Sequence, residues 1–340
     1  MSRRGLRVAV AGATGAMGEE LLAVLEAERF PISSLLPLAQ EGSAGAEIEL
    51  GDRAWICEPL LEGLPLPALP LDLLFCAAPG LLEGRGDEVR ARALRTIDLS
   101  GVLELDPRIP LFSRDLPPVA AQTLMLAVPR GVVGGVAASL APVARRAGLR
   151  RVSVVPLESA SGGGREGMAE LADQTLALLN SMTGEAGPSL RFPRPLAFDC
   201  LPEVGLPLEG GETSEEQRLR HGVRRLLGLP GLPLAVTRVR VPIFTGSLTL
   251  VHAELERAIE RPELLGEWGE SRAIEALSEE LPTPRAAAGS ERHLIGRIRC
   301  CERDLSFAIA QDDLRVTAAT ALEAARWLLH AADLASESGA

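Results

Sequence analysis

Positive charge is in short supply. The 340 residues hold 35 Lys+Arg, all of them arginine, against 46 Asp+Glu, for a net charge of -11. With a pI near 5.1, that balance excludes nucleic acid and anionic membranes as main partners. Long apolar runs are missing too: none reaches the roughly 18 residues of a membrane span. Cysteines number only five, at 57, 76, 200, 300 and 301. They are odd in number and follow no ligand spacing, so neither a disulfide framework nor a bound metal is expected. Reduced thiols in a cytoplasmic protein fit best. Tyrosine is absent and aromatics reach 3%. No repeat or low-complexity linker is visible.

What is present is an ordinary globular composition, 46% hydrophobic and 24% charged. The length suggests two domains. "MSRRGLRVAVAG" has a charged start and a short apolar run that flows into glycines, which reads as a first strand and not a signal peptide. A glycine turn then opens the helix "GATGAMGEELLAVLEAE". "SLLPLAQ", "LDLLFCAAPG" and "TIDLSG" read as further strands, with the polar helix "EGRGDEVRARALR" between the last two. Alternating strands and helices imply a doubly wound parallel sheet over residues 1–127.

From Leu149 the pattern shifts to longer strands: "RRVSVVPLES", "VTRVRVPIFTG", "LTLVHAELE", "LIGRIRC" and "LSFAIAQ". These imply a mixed sheet in an α+β domain over residues 128–313. "GREGMAELADQTLALLNSM" is a helix among them. Residues 194–211, rich in proline and glycine, read as loop. A last helix over 314–336 is expected to pack back on the first domain.

Gly12, Gly15 and Gly18 stand at the first strand-to-helix turn. There they permit a tight turn, close approach of a pyrophosphate, and helix-on-sheet packing. The expected dinucleotide contacts are Gly12, Thr14, Gly15, Ala16, Met17, Gly18, Ser43 and Ala44. The segment "AQEGSAG" after the second strand carries Glu41 as its only charge. No arginine stands there to meet a 2′-phosphate, so NAD is electrostatically favoured over NADP; packing alone would also explain the glycines.

"VAVAGATGAMGEELLAVLE", "SAG" at 43–45, "SASGGGREGMAELADQT", "VRVPIFTG" and "LIGRIR" together resemble aspartate-semialdehyde dehydrogenases along nearly the whole chain. The resemblance implies a Rossmann-like first domain and a catalytic and dimerisation second domain, hence a homodimer. It also implies the NADP-dependent interconversion of aspartyl phosphate and aspartate semialdehyde. In that chemistry a cysteine thiolate attacks, a histidine moves the proton, and the acyl-thioester meets phosphate.

Carried over by position, the match fails at the reacting groups. The family's N-P-N-C-S-T falls on residues 128–133, with the cysteine position at Gly131. The glutamine 27 residues on is Glu158, and the acid/base histidine after "FTG" is Ser247. A phosphate-binding arginine falls on Glu104, and the cofactor-loop arginine on Gly42. Of S-D-N-x-R-K-G, only Asp312 and Arg315 remain. Arg240, seven residues before Ser247, matches the arginine that holds the substrate carboxylate. Glu215 and Arg218 resemble the family's Glu-x-x-Lys, though "TSEEQRLR" is also a capped helix start with Ser-x-x-Gln as its capping box.

No replacement dyad is visible. Period two puts His252 on the face opposite Ser247, and Cys76 reads as core. Cys300 and Cys301 must point to opposite faces of one strand. Glu158 is expected to repel a thiolate or oxyanion. Arg130 and the amides after Gly131 and Gly134 are expected to attract an anion, with Arg240 and Arg218 holding a dicarboxylate. Three functions stay open: an inactive paralogue that binds ligand or dimerises, an NAD(P)-dependent semialdehyde dehydrogenase of amino-acid biosynthesis (or another reaction with Glu158 as base), and a structural protein with no ligand.

Overall fold

The computed structural model describes residues 5–60, 70–91, 94–116, 123–180 and 186–338. It divides into two compact units: residues 1–130 with 317–340, and residues 131–316. No helix among the described residues is long and apolar enough to cross a membrane.

In the first unit, Leu6–Ala11 (β1) is almost uniformly apolar. Such a strand is stable only when covered on both faces, as in a parallel sheet. It is followed by α1 (Ala16–Ala27), β2 (Ile32–Ala39), the hairpin β3 (Glu47–Leu50) and β4 (Arg53–Ile56), then β5 (Glu58–Pro59) and β6 (Leu73–Cys76). Next come α2 (Pro79–Ala91), β7 (Thr96–Asp98) and β8 (Met125–Ala127). The main sheet runs β5-β2-β1-β6-β7-β8, parallel at every pairing. Its core joins Val8, Val10, Phe75 and Leu126 to Leu21 and Leu25 of α1. Helix α2 starts at Pro79, earlier than composition suggests. Proline suits the first helical position because its missing N–H has no partner there anyway. Residues 92 and 93 of the expected polar helix lie outside the described residues.

The second unit holds α3 (Val133–Ala147), β9 (Leu149–Glu158), α4 (Gly164–Asn180), α5 (Ser214–Leu227), β10 (Leu234–Val236), β11 (Val239–Arg240) and β12 (Ser247–Leu255). It continues through α6 (Arg261–Gly269), β13 (Ile274–Ala276), α7 (Pro284–Ala287), β14 (His293–Cys301) and β15 (Asp304–Gln311). The sheet order is β10-β9-β12-β15-β14-β13, with β11 also on β9. Strands β12, β14 and β15 pair antiparallel and the outer strands parallel. One face of β12 is buried and the other exposed at every second residue. The buried face meets α3, whose core-facing side chains include Val136, Leu140 and Val143. Trp268 of α6 closes this core edge-on against Phe307 at 5.3 Å, and its indole N–H donates to Ser139 O at 3.0 Å.

One strand differs from its sequence reading. "VTRVRVPIFTG" is not continuous: it breaks between β10 and β11. The Arg238 N–H donates to Glu216 Oε1 at 3.0 Å, so it leaves the ladder, and Pro242 has no N–H to give. Ser181 and Met182, the expected end of α4, lie outside the described residues.

The last helix, α8 (Asp313–Ser338), begins in the second unit. Ala318, Ala321, Leu322, Ala325 and Leu328 lie in the core of the first. Asp312 caps it, accepting from the Arg315 N–H at 3.2 Å.

Candidate functional site

In the first unit, β1 lies between β2 and β6, so the chain winds both ways from it. Ligands of open parallel sheets bind at the carboxyl ends of strands at this point. A cavity of about 450 Å³ opens there, lined by Gly12, Thr14, Gly15, Gln40, Ser43 and the Ala77–Leu81 turn, among others. Gly12 has φ +84°. A Cβ on Gly18 would overlap Gly12 O, so α1 can start against the turn only with glycine there. Both α1 and α2 begin beside this cavity, and helix N-termini attract anions.

Of the eight expected dinucleotide contacts, Gly12, Thr14, Gly15 and Ser43 line the cavity, and Ala16, Met17, Gly18 and Ala44 do not. Met17 packs on the core, Gly18 is a packing residue, Ala16 opens α1 and Ala44 is exposed. Sequence reading missed Gln40 and the Ala77-Ala78-Pro79-Gly80 turn. The signal for the turn was the small-residue run after a buried strand.

In the second unit, strand register assembles a row of polar residues. Arg240 pairs with Glu158 across β11 and β9. Glu158 pairs with Ser247 across β9 and β12, and Ser247 with Gln311 across β12 and β15. Cross-strand partners share a face, so residues from positions 158, 240, 247 and 311 converge at one end of the sheet.

Arg238 joins this row, and it was not among the expected residues. The start of α5 puts it in place. Thr213 and Glu216 form a reciprocal capping box, in place of the expected Ser214 and Gln217. Glu216 also takes the Arg238 backbone N–H. The guanidinium NH1 donates to Glu215 O at 3.0 Å and to Glu215 Oε2 at 3.2 Å. Its Nε donates to Glu158 Oε1. Arg238 and Glu158 are 5% and 9% exposed, so this ion pair is buried. Burial draws the Arg238 pKa down, but the Glu158 and Glu215 carboxylates more than offset it, and the net direction is up. Two arginines at i and i+2 of the expected strand "VTRVRVPIFTG" are the available signal.

This geometry adds partners to two of the expected residues. Arg240 does not stand open to a ligand: its NH1 donates to Ser159 O at 2.6 Å and lies 3.7 Å from Glu158 Oε2. Burial lowers its pKa despite that carboxylate. Glu158 in turn is not a bare repelling charge, since two guanidinium groups bracket it. Arg218 pairs with Glu215 at 3.3 Å. Arg130 belongs to the first unit and is exposed. Burial pushes the Asp98 carboxyl up, and bonds from Ser100 and Leu103 and the Arg130 charge hold it back.

Ser247 is fully buried. Its hydroxyl donates to Asp313 Oδ1 at 2.8 Å, and Gln311 Nε2 donates to the same oxygen at 2.7 Å. Gln311 Nε2 also donates to Gly131 O at 3.0 Å, and Gln311 Oε1 lies 3.0 Å from His293 Nδ1. His293 therefore belongs to the site, although it stood outside every motif. Gly131 has φ +62°, and a Cβ there would face Arg238 at 3.8 Å. His252 is exposed on the opposite face, hydrogen-bonded to Ser306.

Burial, with the charges of Glu158 and Asp312, pushes the Asp313 carboxyl up to about 6, against the bonds from Ser247 and Gln311. The folded chain thus holds this proton to higher pH than the unfolded chain, whose aspartates titrate near about 3.9. Asp313 therefore costs stability as pH rises from about 4 to about 6, after which the cost is constant. Asp313→Asn keeps an amide oxygen for the Ser247 and Gln311 donors. It is expected to raise stability at pH 7.5 by about 1–3 kcal/mol and to remove part of the fall between pH 4 and 6. Urea unfolding of both proteins across that range checks it; parallel curves would contradict it.

The family model described as "Semialdehyde dehydrogenase, NAD binding domain" matches residues 7–129. That described as "Semialdehyde dehydrogenase, dimerisation domain" matches residues 140–316. Among curated proteins, the aspartate-semialdehyde dehydrogenase of Corynebacterium glutamicum is 31% identical over 334 residues, covering 92% of this chain and 96% of its own. The chain belongs to the aspartate-semialdehyde dehydrogenase family. The Streptomyces akiyoshiensis enzyme is 30% identical over 331 residues, 92% of this chain and 95% of its own. The crystal structure of aspartate semialdehyde dehydrogenase II from Vibrio cholerae superposes with a TM-score of 0.89 at 26% identity, over 96% of this chain and 99% of that one.

Among the positions carried over from the aspartate-semialdehyde dehydrogenase pattern, Gly131, Glu158, Arg240, Ser247 and Glu215 lie in the network of the second unit. Glu104 belongs to the first unit, fully buried in a short helical turn. Gly42 is exposed, with no heavy atom within 4 Å of where its Cβ would be. Asp312 and Arg315 have structural partners: Asp312 caps α8, and Arg315 meets Glu291 at 3.0 Å.

Proposed function

We propose that this chain is a non-catalytic member of the family, one that binds a dinucleotide and self-associates but does not turn over aspartyl phosphate or aspartate semialdehyde. One observation carries the reading. At the start of α3, the residue facing Arg238 is glycine and supplies no nucleophile. Around it, the Ser247 hydroxyl is committed to Asp313, and a serine does not titrate near neutrality. The family's nucleophile and acid/base positions are thus both empty of their groups, and His293 is engaged with Gln311; acid/base catalysis alone is typically worth about 10²–10⁴-fold in rate. Glu158 is also poorly placed to act as a base for another reaction, because its carboxylate bridges two arginines. The direct test is an assay of phosphate-dependent NADP reduction with aspartate semialdehyde.

The glycine turn and the paired helix starts fit a pyrophosphate. A bound nicotinamide would supply hydride exchange, and the chain's own part is to hold the dinucleotide at Gly12, Thr14, Gly15 and Ser43. Among the described residues no cation lines this cavity, so NAD is expected to bind better than NADP. Gly42→Arg would add a guanidinium in open space beside Ser43. A charge-assisted contact to the 2′-phosphate is worth about 1.5–3 kcal/mol. The NADP affinity of the variant should rise at least about tenfold, with NAD little changed. Thermal-shift titration with both nucleotides checks this by linkage. Tighter binding of NADP than NAD by the wild type would contradict it.

A homodimer through the second unit follows from the family. On the exposed side of its sheet, Leu248, Leu250, His252, Leu281 and Ala308 help line an apolar hollow of about 430 Å³. Sedimentation should give a dimer at micromolar concentration, and a stable monomer would contradict it. The expected ligand of the second unit is a small dicarboxylate held by Arg240 and Arg218, which requires Arg240 to be released from Glu158. All five cysteines are free thiols, which fits a reducing, cytoplasmic setting.

A further inference from the structure

We propose that Arg238 and Arg240 form an anion cradle that the chain fills with its own Glu158 carboxylate, closing the site to outside anions until that side chain is displaced. Each carboxylate oxygen faces a different guanidinium: Oε1 accepts from Arg238 Nε, and Oε2 lies 3.7 Å from Arg240 NH1. A free carboxylate held by two arginines would present its oxygens in the same way.

The cradle is built, not incidental. Arg238 is fixed at three points by α5, through its N–H to Glu216 and its NH1 to the carbonyl and carboxylate of Glu215. Arg240 is fixed by Ser159 O and by Phe192, whose ring centroid lies 5.9 Å from the guanidinium carbon. Gly162 leaves room for it: a Cβ at 162 would strike Arg240 NH1. The side chains of Arg238, Arg240 and Glu158 are 6%, 11% and 11% exposed. Two buried cations in such positions require an anion. Strand register supplies one, because Glu158 stands directly beside Arg240. The nearest other carboxylates, Glu215 and Asp313, are shared with Arg218 and with Ser247 and Gln311 respectively.

An external carboxylate or sulfate must therefore compete with an intramolecular group already in place, and its apparent affinity is reduced by the fraction of time Glu158 is displaced. This inference rests on the reading of the pocket as a non-catalytic site. The consequence is that wild type binds such anions weakly, and that neutralising Glu158 exposes the cradle.

Calorimetric titration of the full-length protein with succinate and with sodium sulfate tests this. The proteins are wild type, Glu158→Gln, Glu158→Asp and Glu158→Gln/Arg240→Ala. Glu158→Gln is expected to bind at least one of the two anions about tenfold or more tighter than wild type, and the double variant is expected to lose that gain. Glu158→Asp keeps the charge but draws it back by one methylene. It should show a smaller gain in the same direction, and it decides the matter if Glu158→Gln does not fold. Wild-type affinity in a folded Glu158→Gln protein, or in Glu158→Asp where the glutamine variant is unfolded, overturns the proposal. So does a gain that survives Arg240→Ala. The test is separate from the non-catalytic reading, which fails only if dehydrogenase turnover is observed; anion affinity can change or stay constant without any turnover.

Discussion

Gly131→Cys alone is expected to show no phosphate-dependent dehydrogenase turnover above about 1% of the usual enzyme range of about 1–1000 per second. Residue 131 has φ +62°. A cysteine in that left-handed region costs roughly 1–2 kcal/mol, so the loop would be strained in holding it. One local factor favours a thiolate. The new Cβ would lie 3.8 Å from Arg238 NH2, and a guanidinium lowers a thiol pKa. Yet Arg238 already serves Glu158 and Glu215, and the group at 247 is a buried serine. No imidazole stands at 247 to take the proton or return it, and His293 is held by Gln311. The triple variant Gly131→Cys, Ser247→His, Glu158→Gln restores all three family groups and is the fair comparison. Single-turnover assays of both, with thiol titration to confirm an accessible cysteine, separate a missing nucleophile from a missing base. Robust turnover in the single variant would overturn this account of the pocket.

The second large effect concerns stability. Arg238→Met leaves the buried Glu158 carboxylate with Arg240 alone, at 3.7 Å. Breaking a buried pair by removing one partner typically costs about 3–5 kcal/mol, because it strands a desolvated charge. For a unit of this size that is a fall in melting temperature of roughly 6–20 °C. Arg218→Met is the control. It removes the partly exposed pair with Glu215 at 3.3 Å, and such a pair is worth about 1 kcal/mol or less. Thermal and urea unfolding of the two variants should therefore differ clearly. Equal, small losses would show that Arg238 does not hold this end of the sheet.

The parts of the fold that were legible in the sequence rest on local rules. The glycine turn after β1 is legible because only glycine allows φ +84° at residue 12 and the approach of α1 at residue 18. The apolar strands of the first sheet are legible because burial on both faces leaves uniform runs. In β12, strict alternation separates Ser247 from His252. The family pattern then located Gly131, Glu158, Arg240 and Ser247.

Arg238 escaped because its role depends on partners far along the chain. Glu158 is 80 residues away, and the kink that takes Arg238 out of the ladder comes from Glu216 on a helix. His293 escaped for the same reason: its link to the site runs through Gln311 and exists only once β14 lies beside β15. The sequence spacing identifies Arg240 as a ligand contact without showing that Glu158 and Ser159 also engage it. Charge neutralisation inside a site is a property of packing, and no spacing rule reports it.

Turnover of the wild-type protein tests the central claim most directly: purified chain, aspartate semialdehyde, phosphate and either NADP or NAD, followed at the nicotinamide absorbance. No nucleotide reduction above the enzyme-free rate is the predicted result. Turnover anywhere in the ordinary range of about 1–1000 per second would contradict it and would mean that a catalytic group other than those at Gly131 and Ser247 completes the site.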